Sequence, residues 1–132
     1  MRKSVITAAI AFVATIALLV PAGAASAGGV EKDKHGSCRP KGRWELSLDK
    51  ESGRIEVDLE VTSGPAGQRW KVVMRHDGAK FFAGSRVTRR DDDDRPDFEI
   101  ERWVKDTLGW DRFRVKATNN ATGARCIAKL AI

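Results

Sequence analysis

The chain has 132 residues with 24 basic and 18 acidic side chains, a formal net charge of +6. That length holds one domain and excludes a multidomain enzyme. With 32% of residues charged, the composition predicts a thin core under a heavily charged surface.

Arg2 and Lys3 precede an uncharged apolar run over 5–20, followed by Pro21 and the small residues Ala25-Ser26-Ala27. These are the three regions of a secretory signal, so residues 1–27 read as a signal peptide cleaved before Gly28. The apolar run is shorter than a bilayer span, and no Cys stands at the cleavage point to carry a lipid anchor. The expected product is a secreted, extracellular domain with no membrane span.

Residues 28–42 are rich in Gly, Lys and polar side chains without periodicity and read as a mobile N-terminal arm carrying Cys38. Cys38 and Cys126 are the only cysteines, and an exported chain meets oxidising conditions, so one disulfide between them is expected. A zinc site is the alternative, but two lone Cys with His35 and His76 lack paired ligand spacing.

From Trp44 the pattern has period two. Trp44, Leu46 and Leu48 alternate with Glu45, Ser47 and Asp49; after Glu51-Ser52-Gly53, Ile55, Val57, Leu59 and Val61 alternate with Glu56, Asp58 and Glu60, which predicts a half-buried hairpin. A Gly/Pro loop over 63–68 leads to a strand marked by Trp70, Val72 and Met74. Asp77-Gly78 predicts a two-residue turn into a strand over 79–83, because both positions favour positive φ. Residues 89–97 hold five Asp, three Arg and Pro96 and read as a solvated loop. Phe98, Ile100 and Val104 mark the next strand, and Phe113, Val115 and Ala117 the one after. A turn over 119–123 leads into a last strand near 125–131. Seven or eight short strands without a helical repeat predict an all-β antiparallel sandwich over 43–132.

Trp70 on the third strand and the segment Gly109-Trp110-Asp111-Arg112-Phe113-Arg114-Val115-Lys116-Ala117-Thr118-Asn119 resemble the core Trp, corner and sixth strand of immunoglobulin-like and fibronectin type III-like sandwiches. Phe113 stands where those families usually carry Tyr. The resemblance implies an immunoglobulin-like fold in which the first, second and fifth strands form one sheet and the third, fourth, sixth and seventh the other. It implies no function. The chain also resembles small exported proteins of high-GC Gram-positive bacteria.

With that pairing, strand alternation sorts charge by sheet. Outward positions of the first sheet are Glu45, Asp49, Glu56, Asp58, Glu60, Glu99 and Glu101, with Arg54 as the exception; those of the second are Arg69, Lys71, Arg75, Arg112, Arg114, Lys116, Arg125 and Lys129. Like charges opposite one another on paired strands are destabilising, so a single-sign face points to a partner. The basic positions are the candidate contact surface for an anionic cell-wall polymer, an extracellular nucleic acid or an acidic protein.

Other signals are weaker. Asp91, Asp92, Asp93, Asp94 and Asp97 offer carboxylate oxygens suited to Ca2+, but their spacing is not that of an EF-hand and Arg89, Arg90 and Arg95 flank them; a solvated loop is the preferred reading. Trp103 and Trp110, with Phe82, are candidates for stacking on sugar rings. A thin core needs its large side chains, so Trp110 is expected to pack over the end of the sandwich and Trp103 to cover the bottom of the core. No nucleophile elbow, phosphate-cradling glycine pattern or metal motif is present, and no catalytic residue or cofactor is assigned. The sequence therefore predicts a non-catalytic binding module, monomeric or weakly self-associating. The alternatives are a protease inhibitor or toxin-like effector acting through loop 63–68 or 89–97, and a self-associating cell-surface structural protein.

Overall fold

The computed structural model describes residues 29–90 and 95–132, so the signal-peptide reading falls outside the described residues. Nine strands build two antiparallel sheets: β1 (Val30–Ser37), β2 (Arg43–Glu51), β3 (Arg54–Thr62), β4 (Arg69–His76), β5 (Ala79–Val87), β6 (Arg89–Arg90), β7 (Pro96–Lys105), β8 (Arg112–Asn119) and β9 (Arg125–Ala131). One sheet has the order β1-β2-β3-β7-β6 and the other β5-β4-β8-β9. Strand alternation sends one side chain of each pair inward, so Leu46, Leu48, Ile55, Val57, Leu59 and Val61 of the first sheet meet Trp70, Val72, Met74, Phe113 and Val115 of the second in a buried core. Two hairpins turn on pairs of positive-φ residues, Ser52 (51°) with Gly53 (76°) and Asp77 (47°) with Gly78 (85°). Turns of that hand match the twist of the strands they join.

Cys38 and Cys126 form a disulfide across 88 residues. It closes the seam where β1 and β2 approach β9, beside a backbone bridge between Arg39 and Arg125. Further along this seam the Lys32 and Lys34 ammonium groups donate to the Ala131 and Lys129 carbonyl oxygens, at 3.2 and 3.4 Å. Charged side chains on an unpaired strand edge discourage further strand pairing, and these lysines occupy the β9 edge directly. At the opposite, open side, Arg86 and Arg102 lie over the Phe82 ring with their guanidinium carbons 5.1 and 4.7 Å from its centroid.

The structure departs from the sequence reading at four places. Val30–Ser37, expected to be an arm without regular structure, pairs with β2 as an edge strand. Its inward positions carry Lys32 and Lys34 because they overhang the β9 edge and not the core, so no apolar alternation marks it. Gly36 faces Trp44 so closely that a Cβ would lie 2.6 Å from the indole. Pro96, expected in a loop, is the buried first residue of β7 and pairs with Arg90 of β6; a proline is tolerated at the start of a strand, where its missing N–H breaks no interior ladder. Trp103, expected to cover the bottom of the core, and Trp110, expected to pack over the end of the sandwich, are 42% and 61% exposed. Trp103 occupies an outward position of β7 opposite Glu56, and Trp110 lies in the β7–β8 loop.

Candidate functional site

All eight basic residues singled out from the sequence are exposed on the β5-β4-β8-β9 sheet. The register lines four cations up in one row across all four strands: Lys80 opposite Arg75, Arg75 opposite Arg114, and Arg114 opposite Lys129. Lys34, at the Lys129 carbonyl, continues the row across the seam. Lys71 and Arg125 flank Thr118 in a second row, Lys116 stands between Val73 and Ile127, Arg112 lies opposite Ala131, and Arg69 lies opposite Val87. Lys80 escaped the sequence reading because the register shifts between Met74 and Arg75; such a bulge re-aims side chains that simple alternation places elsewhere. Among the described residues none of these cations forms a salt bridge with a carboxylate. Arg75, Arg112, Arg114 and Lys129 border an open depression of ≈ 470 Å³ floored by Phe113, Leu130 and Ala131. A row of like charges held only by strand pairing lowers local stability and creates a field suited to a multivalent anion.

The opposite sheet carries the reverse sign. Its outward rows read Glu31, Asp49, Glu56, Trp103; Asp33, Ser47, Asp58, Glu101; and His35, Glu45, Glu60, Glu99. The expected acidic positions are all on this face, and β1 adds Glu31 and Asp33. Burial, then a hydrogen bond with Glu99 and the nearby Glu101 and Glu56 charges, push the Asp58 carboxyl up to about 7. Burial and Glu101 likewise raise Glu56. A carboxyl raised on folding binds its proton more tightly in the folded chain, so its stabilisation is full below pH about 4 and is lost as pH rises through about 7. The thermal midpoint should therefore fall between pH 5 and 8. Asp58→Asn should remove much of that fall and stabilise the chain by about 1–2 kcal/mol at pH 8, allowing for solvent screening of this partly exposed group. Scanning calorimetry of both proteins across this range checks it, and an unchanged slope in the variant would count against it.

A third cluster was not visible in the sequence. Asp111, fully buried, accepts from Lys50 Nζ (3.1 Å), His76 Nε2 (2.6 Å), and the Thr107 backbone N–H (3.1 Å) and Oγ1 (2.7 Å). Burial alone would raise this carboxyl, but the hydrogen bonds from Thr107, His76 and Lys50 override it and hold it well below the usual carboxylate range. Asp106 also contacts Lys50, at 2.9 Å, and with Asp111 raises its pKa. His76 stacks on Phe113 with ring centroids 4.6 Å apart. The donor atoms of His76, Asp77 and Asp111 lie within 4.8 Å of one another, a spacing open to a metal ion. However, His76 and Thr107 already place three hydrogen bonds on Asp111 Oδ1 and Lys50 occupies Oδ2, and an ammonium beside them opposes a second cation. The Thr107 hydroxyl donates to the Asp111 carboxylate and is not itself poised as a nucleophile against His76. The arrangement is a brace: it fixes both ends of the β7–β8 loop, whose other ties are Asp106 N–H to Gly53 O and the reciprocal pair between Asp111 and Ile132. Beyond it project Leu108, fully exposed, and Trp110, whose ring lies 4.8 Å from Lys32 Nζ.

The loop over 63–68 is pinned by Thr88, whose Oγ1 donates to Pro65 O (3.1 Å) and accepts from Gln68 N–H (3.1 Å). Of the calcium candidates, Asp91, Asp92, Asp93 and Asp94 lie outside the described residues, and Asp97 stands in β7 opposite Arg89. No family model matches the chain, and comparisons with curated proteins and with solved structures find no match.

Proposed function

We propose that the chain is a secreted, non-catalytic binding module of immunoglobulin-like form that contacts a polyanion through the basic sheet. The observation that carries this reading is the row Lys80, Arg75, Arg114, Lys129, which crosses a whole sheet without an intervening carboxylate. The split into β1-β2-β3-β7-β6 and β5-β4-β8-β9 supports the immunoglobulin-like reading. The leader-like residues 1–27 and the Cys38–Cys126 disulfide support export. The partner class is a phosphate- or sulfate-bearing polyanion, bound with steep salt dependence.

Titration of the purified protein with heparin, double-stranded DNA and teichoic acid at two salt concentrations tests this, with an Arg112→Glu/Arg114→Glu variant alongside. Binding should weaken steeply as salt rises, and the exposed double reversal should weaken it about 100-fold at low salt. Equal binding by the variant would remove the basic sheet from consideration. The opposite signs of the two faces favour a second reading, stacking of acidic sheet on basic sheet between copies. It would appear as sedimentation of oligomers at low salt that dissociate at physiological salt.

A further inference from the structure

We propose that the polyanionic partner is the surface of an anionic lipid bilayer, and that Leu108 and Trp110 at the tip of the braced β7–β8 loop enter it. This rests on the reading of the basic sheet as an anion-binding face and names its partner.

Leu108 is 102% exposed and Trp110 61% exposed, one residue apart around Gly109, which has φ 83°. Single apolar side chains on a surface are ordinary; an exposed Leu and an exposed Trp separated by one residue in a single loop are less so. A solvent loop has no need of a fully buried carboxylate at its base, yet Asp111 fastens this one to β2, β4 and its own Thr107. The tip is thus shaped before contact and loses little freedom when it binds.

The chemistry of the tip is that of a lipid interface. Tryptophan partitions to the headgroup level and leucine to the acyl chains beneath. Leu108 is fully exposed and Trp110 more than half exposed, which suits a fluid surface that can close around them. Cations flank the tip: Lys32 of β1 lies against Trp110, Arg112 follows the loop, and Arg75, Arg114 and Lys129 border the depression that Arg112 also lines. Basic side chains next to an apolar insertion are the pairing that binds anionic membranes. The carboxylates at the base of the loop are engaged, Asp106 and Asp111 with Lys50, and Asp77 with the Arg112 N–H and the Thr107 hydroxyl. The acidic sheet lies on the opposite face, so repulsion would tilt the basic sheet toward the bilayer. A soluble polyanion offers nothing to Leu108.

The test is co-sedimentation of the purified exported protein with vesicles of phosphatidylcholine alone and of phosphatidylcholine mixed with phosphatidylglycerol, with heparin titrations in parallel. The protein should bind the mixed vesicles and not the neutral ones. A Leu108→Ser/Trp110→Ser variant should bind them about tenfold or more weakly while keeping its heparin affinity. Lipids brominated on their acyl chains should quench the tryptophan emission of the parent protein, and Trp110→Phe should remove that quenching. Heparin binding without vesicle binding, or a tip variant that binds vesicles as the parent does, would overturn this inference and leave the basic sheet with a soluble polymer or an acidic protein. A parent protein that binds neither heparin nor vesicles would overturn the functional reading as well.

Discussion

Replacing Cys38 and Cys126 together with alanine should destabilise the domain by about 4 to 5 kcal/mol, close to the whole stability of a small domain. The bridge spans 88 residues, so its loss frees almost the entire chain in the unfolded state, and the cost of loop closure grows with the logarithm of that span. Both side chains are buried, and alanine leaves no unpaired polar atom there, so the change isolates the cross-link. Urea unfolding of the parent, the parent with reductant and the double variant checks the expectation. The last two should unfold at similar, much lower urea concentrations, and a midpoint near that of the oxidised parent would show that the Arg39–Arg125 bridge and the lysine contacts hold the seam without the cross-link.

Asp111→Ala should cost about 3–5 kcal/mol, the range for removing one partner of a buried ionic cluster. The substitution removes the buried acceptor shared by Lys50, His76 and Thr107 and leaves them only Asp106 and Asp77 at the margin of the cluster. The sign with pH is opposite to that of Asp58. Because the Asp111 carboxyl is held below its ordinary value on folding, its contribution is present above pH about 4 and disappears as pH falls further. Parent and variant should therefore differ most near neutrality and by measurably less at pH 3, since the contribution is lost fully only as pH falls through the lowered folded value. Chemical unfolding at pH 7 and pH 3 measures this. A constant difference at both values would mean that packing, not charge, makes Asp111 important.

Most of the sandwich could be read from the chain because its central strands alternate cleanly. Ile55, Val57, Leu59 and Val61 each point inward, and the acidic residues between them point out. Where a strand lies at an edge this signal disappears: the inward side chains of β1 are lysines, whose ammonium groups reach carbonyls where no apolar contact is available. The basic face could be read for the same reason as the core, since alternation fixes both sides of a sheet at once. Lys80 was missed because its position depends on a bulge, which no local pattern announces. Asp111 was missed for a different reason. One aspartate beside Trp110 and Arg112 looks like any surface aspartate, and only the folded chain brings Lys50 and His76 to it from 61 and 35 residues away. The turn residues Asp77-Gly78 were legible because positive φ restricts the residue types that fit.

The position of the disulfide also decides how the domain would bear mechanical load. Tension that enters the chain before Cys38 and leaves it after Cys126 passes from one sulfur to the other and bypasses the 88-residue span between them. Under such a pull β1 and the end of β9 can peel, with the lysine contacts to Ala131 and Lys129 among the first to part. The core between β2 and β8 would stay folded. If the chain is held at a surface while its surroundings shear, the basic sheet keeps most of its shape, and its grip would fail before its fold.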